Sequence, residues 1–402
     1  MAESGSSVKR TWRAAGTPIV VIGVFGATLG ITYPLLSLLL EERGTSSSII
    51  GLNGAMTPLG MVLGAPLVPR LIRAVRPWLT MVLATALVSV ILAVLAATPA
   101  LSAWFVLRFM LGLCAVTMFI LSETWIGEIA TSQLRGQLLT AYTSVLALGF
   151  AIGPTVLAAS GDNFTIALTI AIAAPLVALV PLVRVRQTVP PMAGNGPIPV
   201  RQLTTLLSTL VVAVLAVSVF DSVTLQLLPS FGVRHGNTLA YAALSLTVLL
   251  IGQVVFQYPL GWLADRVGAR VALIVSLSAG ILGALLLPMI VNNPTGYFPA
   301  IAAWGGLAFA GYPLVLTILG ESFEQTDLLM ANTAFAIVWG LGGILGPPYS
   351  GAAMDWVGPN GLPWSLATLW LLALTAIVAT ACLARQRGTR SPDGKAPKAF
   401  SS

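Results

Sequence analysis

The stretch "GWLADRVGAR", residues 261–270, gathers Asp265, Arg266 and Arg270 in a chain of which only 8% is charged. On either side the sequence is apolar for about 20 residues, 239–262 before it and 271–291 after it, the length that spans a hydrocarbon core. The charged segment therefore reads as a turn between two membrane helices. Working outward in both directions, further runs of that kind lie at 17–40, 49–71, 78–98, 101–123, 135–158, 164–184, 204–229, 297–320, 328–352 and 362–383. With the first two they make twelve spans of an all-α membrane protein.

Composition agrees with that reading. The chain is 57% hydrophobic, with a mean hydropathy of +0.93, far from the range of soluble globular enzymes. Residues 1–16 form a short polar leader with Lys9, Arg10 and Arg13, read as leading into a retained first helix and not as a removed signal peptide. Loop charge gives an independent check through the positive-inside rule. With both termini cytoplasmic, 17 of the 20 basic residues fall on the inner side, only Arg43 and Arg234 fall outside, and Arg108 is left within a span. A missed or extra helix would scramble the second half of that partition.

The interval "RVRQTVPPMAGNGPIPVRQL", rich in Pro, Gly and Arg, reads as a cytoplasmic linker, 185–203, between two six-helix bundles at 17–184 and 204–383; a basic tail fills 384–402. A duplicated architecture leaves an internal echo. "LGFAIGP" at 148–154 matches "LGGILGP" at 341–347, and Asp162 falls opposite Asp355, at an offset of 193; Pro66 with Pro259 and Arg73 with Arg266 share it. Gly149, Gly153 and Pro154 thus correspond to Gly342, Gly346 and Pro347. Small residues four apart permit close helix approach, and the proline removes a backbone donor and bends the helix.

Twelve spans as six plus six, a basic central linker and the decapeptide make the chain resemble the major facilitator superfamily over essentially its whole length. The resemblance implies that superfamily's fold, two pseudo-symmetric six-helix bundles. Its loop signature is met by Gly261, Asp265, Arg266, Gly268 and Arg270, which the resemblance places at a cytoplasmic gate. There Gly261 is expected to let the helix end pack against a neighbour, and Asp265 to pair with a base or cap a helix; a solvated loop obeying the charge rule is the plainer alternative. In the first half the equivalent segment is "VPRLIRAVRP", where Ile72 replaces the acid and Val75 the second glycine, so the two gates are not expected to be symmetric. Relatives usually keep the better copy in the first half. Glu123 in "LSETW" and Glu321 in "LGESF", with "LGGILGPPYSGAAMD", resemble a largely uncharacterised bacterial branch. Both are read either as gate residues or as interfacial carboxylates.

Two intramembrane charges stand out, because an ionisable group in a span is costly. Arg108 lies about seven residues into the fourth span, roughly 10 Å deep at the helical rise, with Gly112, Ala115 and Phe119 on its face. It is read as facing a cavity, or alternatively as snorkelling to the outer interface. Arg108 with Gly112 resembles the fourth-span motif of proton-coupled facilitators, although the expected Gln is Leu111. Asp221 sits about two thirds of the way along the seventh span, a candidate proton carrier with Gln226 as a substrate hydrogen bonder; a fixed counter-ion for Arg108, or a place in the outer interface, is the alternative. The fifth-span glycines resemble an antiporter signature.

Other function classes lose support. No Gly-x-x-x-x-Gly-Lys loop is present. The single histidine, His235, falls in an outer loop, and Cys114 and Cys382 lie in apolar stretches, which supports neither a metal cluster nor a disulfide. The net charge of +7 is dispersed over inner loops and forms no nucleic-acid patch. The sequence thus points to a non-enzymatic secondary transporter of the bacterial inner membrane, without cofactor or metal. Its expected partners are a small solute, protons and membrane lipids, and it is expected to be a monomer. Proton-coupled export of a small amphipathic or hydrophobic compound is the leading reading. Uptake of a sugar or organic anion contacted by Arg108 is the second, and a lipid flippase or sensor the alternative of another class.

Overall fold

A computed structural model describes residues 2–130, 134–161, 163–185, 210–322 and 325–388. The linker segment 186–209, Asp162 and the tail beyond 388 lie outside the described residues. The helices are α1 (Ala2–Glu42), α2 (Ser47–Gly64), α3 (Val68–Ala74), α4 (Pro77–Ala97), α5 (Leu101–Ile129), α6 (Arg135–Ala159), α7 (Phe164–Arg184), α8 (Leu210–Arg234), α9 (Leu239–Val267), α10 (Ala269–Ile290), α11 (Pro294–Phe309), α12 (Gly311–Ser322), α13 (Gln325–Val357) and α14 (Gly361–Gly388). A short 3-10 turn, Ala65–Leu67, joins α2 to α3 within the second span, and Ala310 interrupts the tenth between α11 and α12. Eleven segments among the described residues are long and apolar enough to cross a bilayer, and α13 fills the remaining place. The twelve expected spans are therefore present, the tenth with a one-residue irregularity at Ala310, whose N–H still donates to the Gly306 carbonyl and whose carbonyl accepts from the Leu314 N–H.

Local signals account for several ends. The Ser46 hydroxyl accepts from the Ile49 N–H to cap α2, and the Asn163 side chain caps α7 through the Thr165 N–H. Pro77 and Pro294 occupy the first turns of α4 and α11, where a missing N–H costs nothing. The burial pattern is that of a bilayer protein. Large apolar side chains such as Leu83, Val106, Val177, Leu282 and Leu372 are exposed, while Thr28, Thr32, Ser37, Asn53, Thr57 and Ser276 are buried. Buried hydroxyls mostly donate one turn back along their own helix, as Thr28 does to Val24 and Thr85 to Met81.

The chain divides into two compact units, Met1–Pro197 with Thr238–Thr247, and Ile198–Asn237 with Val248–Ser402. In the first, Gly149 and Gly153 of α6 lie against the backbone of Gly23, Ala27, Gly30 and Ile31 on α1. Gly60 of α2 and Gly112 of α5 meet in the same way, Gly112 against the Thr57 carbonyl. Ser89 of α4 donates to the Ile172 carbonyl of α7 at 2.8 Å. The second unit repeats these pairings. Gly342 and Gly346 of α13 pack on Ser218, Val219 and Ser222 of α8, and Gly252 of α9 meets Ala302 and Gly306 of α11. Contacts between α10 and α14 complete the set, with Trp370 of α14 seated over Gly280 of α10. An aromatic core of Phe220, Trp304 and Trp370 is anchored by the Trp304 N–H, which donates to the Gly280 carbonyl at 2.9 Å.

A Cβ added at Gly153 would collide with backbone atoms of Gly30 and Ile31, which cannot rotate away. Gly153→Val is therefore expected to destabilise the protein by about 1–3 kcal/mol or more, visible as a lower Tm or loss of the monodisperse peak in size exclusion. Gly261→Ala, where an added Cβ meets nothing within 4 Å, is expected to leave Tm unchanged.

Candidate functional site

Arg108 is fully buried in the first unit. Its Nη2 donates to the Tyr33 carbonyl of α1 at 3.3 Å, so it does not snorkel out of the bundle. Nor do the small residues of its face open onto space: Gly112 is used up in contact with α2, Ala115 is buried, and Phe119 packs edge-on against Phe25 of α1. The side chain is enclosed by α1, α2 and α5, because the glycine contact that seats α5 on α2 lies one turn away.

Two residues that sequence reasoning passed over lie buried on α2, which packs on α5. Asn53 of α2 is fully buried, and neither its Oδ1 nor its Nδ2 has a hydrogen-bond partner; one turn on, the buried Thr57 Oγ1 is likewise unpartnered. Helices α2 and α5 run side by side in the same direction, since Gly60 meets Phe109 and Gly112 while Gly64 meets Leu113 and Val116. Stepping back one turn from the Thr57–Gly112 contact places Asn53 and Arg108 at the same level. An amide in the middle of an apolar span was the available signal.

In the second unit Asp221 is half-buried on α8. Gln253 of α9 is the side chain that interacts with its carboxylate, yet the Gln253 Nε2, which is buried, has no hydrogen-bond partner within bonding distance. Gln226 is buried, but five residues beyond Asp221 it is turned by about 140° round the helix. The amide beside the acid is therefore Gln253, supplied by a neighbouring helix that spacing along α8 does not reveal.

Glu123 is exposed near the end of α5, next to a buried Ser122 whose hydroxyl shares a 3.1 Å hydrogen bond with Tyr142. Glu321 falls in the last turn of α12, and its side chain lies outside the described residues. The decapeptide ends α9 and begins α10. Gly268 adopts φ +88°, a conformation that side chains resist, and this allows the chain to reverse in one residue. Asp265, Arg266 and Arg270 are exposed, with the Arg266 guanidinium 3.9 Å over the Trp262 ring. The close packing expected at Gly261 is not found, because that face of the helix end is open. In the first half Val75 holds an extended φ of −128°; without a glycine the reversal there takes Arg76 as well.

The model of the Major Facilitator Superfamily matches residues 19–251 and 210–402. The chain belongs to the major facilitator superfamily. Among its relatives is an uncharacterised MFS-type transporter, YfkF of Bacillus subtilis, 25% identical over 371 residues, 88% of this chain and 93% of the relative. Another is YcaD of Escherichia fergusonii, 24% identical over 286 residues, covering 69% and 72%. Solved structures with the same fold include the nucleoside transporter NupG, with a TM-score of 0.71, 15% identity and coverage of 95% and 99%. A D-xylose-proton symporter gives 0.67, 17%, and 90% and 95%. This facilitator is thus an integral membrane protein and a secondary transporter working by alternating access, not an enzyme.

Asn53 provides a test of purpose. A buried amide with both atoms unpartnered is destabilising, and leucine has nearly the same shape. Asn53→Leu is expected to raise stability by about 1–2 kcal/mol, read as a higher Tm of the purified protein.

Proposed function

We propose that this facilitator exchanges protons for a small amphipathic or hydrophobic compound, which it exports, with Asp221 as the proton carrier. One observation carries the reading. Asp221 lies within a span, and from Leu210 to Ala379 the basic side chains are Arg234, His235, Arg266 and Arg270, all at helix ends. Between Leu210 and Ala379 a carboxylate so placed has no basic side chain within a span to hold it charged, and accepting a proton relieves that state. Arg108 provides fixed positive charge in the first unit, and Asn53 and Thr57 provide donors and an acceptor whose bonding is left open for a second conformation. The scarcity of charged side chains in the spans of both units suits an apolar solute. Export runs from a cytoplasm that faces both termini in the bacterial inner membrane, with the exposed charges of the decapeptide at the gate and the monomer as the working unit.

The burial of Arg108 favours a second reading, uptake of an organic anion that the guanidinium contacts. Proteoliposomes loaded with a pH-sensitive dye separate the two. Under a panel of amphipathic compounds, wild type is expected to move protons on addition of substrate, and Asp221→Asn to abolish that movement while keeping a wild-type Tm. Arg108→Ala is expected to lower the rate by about tenfold or more. Proton movement evoked only by anions and lost with Arg108→Ala would establish uptake instead. Lipid scrambling without solute-dependent proton movement would overturn both.

A further inference from the structure

The joint of the tenth span at Ala310 and the acid of the seventh meet around one aromatic cluster. Phe309, the last residue of α11, stacks on Tyr312 at the start of α12, with ring centroids 5.7 Å apart and planes at 11°. Trp339 of α13 stands edge-on to both, 6.3 Å from Phe309 and 4.9 Å from Tyr312. All three are only half-buried. Helix α8 runs past this cluster. Its Val217 lies against Gly311 at the joint, and its Ser218 hydroxyl donates to the Trp339 carbonyl. Asp221, one turn beyond Val217 and three residues beyond Ser218, projects from the strip of α8 between those two contacts. Gln253 comes to the same level. Gly252 and Gly306 are in contact, which puts Gln253 beside the last turn of α11. Its amide nitrogen is buried and unpartnered, and Pro313 has no N–H to return to the Phe309 carbonyl one turn back.

We propose that Asp221, Gln253 and the Phe309, Tyr312 and Trp339 rings form a binding site, contained within the second unit, for an organic monocation with a flat apolar body. The proposal rests on the reading of Asp221 as the working carboxylate of this transporter and names the kind of solute it serves. A carboxylate in the bilayer core, about 20 Å along the helix from the Arg234 that ends it, is neutralised by a proton or by a bound cation. Aromatic faces attract the same cation and give its flat body a surface to stack on. The Gln253 amide and the Phe309 carbonyl set its orientation. Proton and cation then compete for one carboxylate, which ties the binding of either to the release of the other.

Ethidium, a flat fluorescent monocation, is the probe, and phenanthridine, uncharged at neutral pH, is its neutral counterpart. Titration into the purified full-length protein in lipid nanodiscs is expected to show saturable ethidium binding. Asp221→Asn, which keeps shape and removes charge, is expected to weaken it by about tenfold or more, and Trp339→Leu by about threefold or more. Trp364→Leu, on the exposed face of α14, is expected to have no effect. Each variant is first shown to keep the wild-type Tm. Absence of ethidium binding, equal affinity in Asp221→Asn, or phenanthridine binding as tightly as ethidium would overturn the proposal. Its failure is separable from that of the transport reading. If Asp221→Asn abolishes proton movement in proteoliposomes but leaves ethidium affinity unchanged, only the cation site falls; if it changes neither, both fall.

Discussion

Gly153 lying against the backbone of Gly30, with no side chain between them, is the contact on which the architecture of the first unit depends. Lipid tails are as apolar as leucine, so burying leucine against leucine does not hold two helices together in a bilayer. Close backbone approach does, through dispersion over a flat interface. The same device joins α2 to α5 and α9 to α11. Once α2 and α5 are locked, the buried face of α5 is determined, and with it the place of Arg108; the packing of α13 on α8 does the same for Asp221.

The two units solve the same packing problem with different chemistry. In the first, α6 meets glycines on α1. In the second, α13 meets Ser218 and Ser222, whose hydroxyls donate to the Trp339 and Gly342 carbonyls. A glycine pair is held by contact alone, whereas a serine adds a direction, since its hydroxyl must find an acceptor. The serines bond to α13 at the turn that carries Trp339, so the interface that holds the second unit together also fixes where that ring stands. Charge divides in the same uneven way: the intramembrane base lies in one unit and the intramembrane acid in the other.

Nearly all of the fold was legible in the sequence, because membrane spans announce themselves by length and hydropathy and the expected bounds agree with the helices to within a few residues in most cases. The joint at Ala310 was less visible: Gly311 and Pro313 signal it, but an unbroken apolar run hides it from a hydropathy reading. The site was legible only in its charges. Arg108 and Asp221 stand out because charge in a span is costly, and Gly268 only as a position of the loop signature, its one-residue reversal being visible in the backbone. Asn53, Thr57 and Gln253 did not stand out, since a neutral polar residue in a span is commonplace. What sets them apart is burial without a partner, a property of the packed neighbours and not of the local sequence. Gly261 shows the converse, a motif residue for which the neighbouring chain supplies no contact.

The joint in the tenth span has a mechanical consequence. A continuous helix behaves as a stiff rod, and tilting one end displaces the other. Here one half, α11, is bolted to its unit by Trp304 over Gly283 and by the indole bond to Gly280, while at the joint Pro313 withholds the N–H that the Phe309 carbonyl would otherwise accept. The stacked rings of Phe309 and Tyr312 straddle that joint, one on each segment. Any flexing of α12 must slide or open the stack, so the ring pair acts as a clasp across the joint.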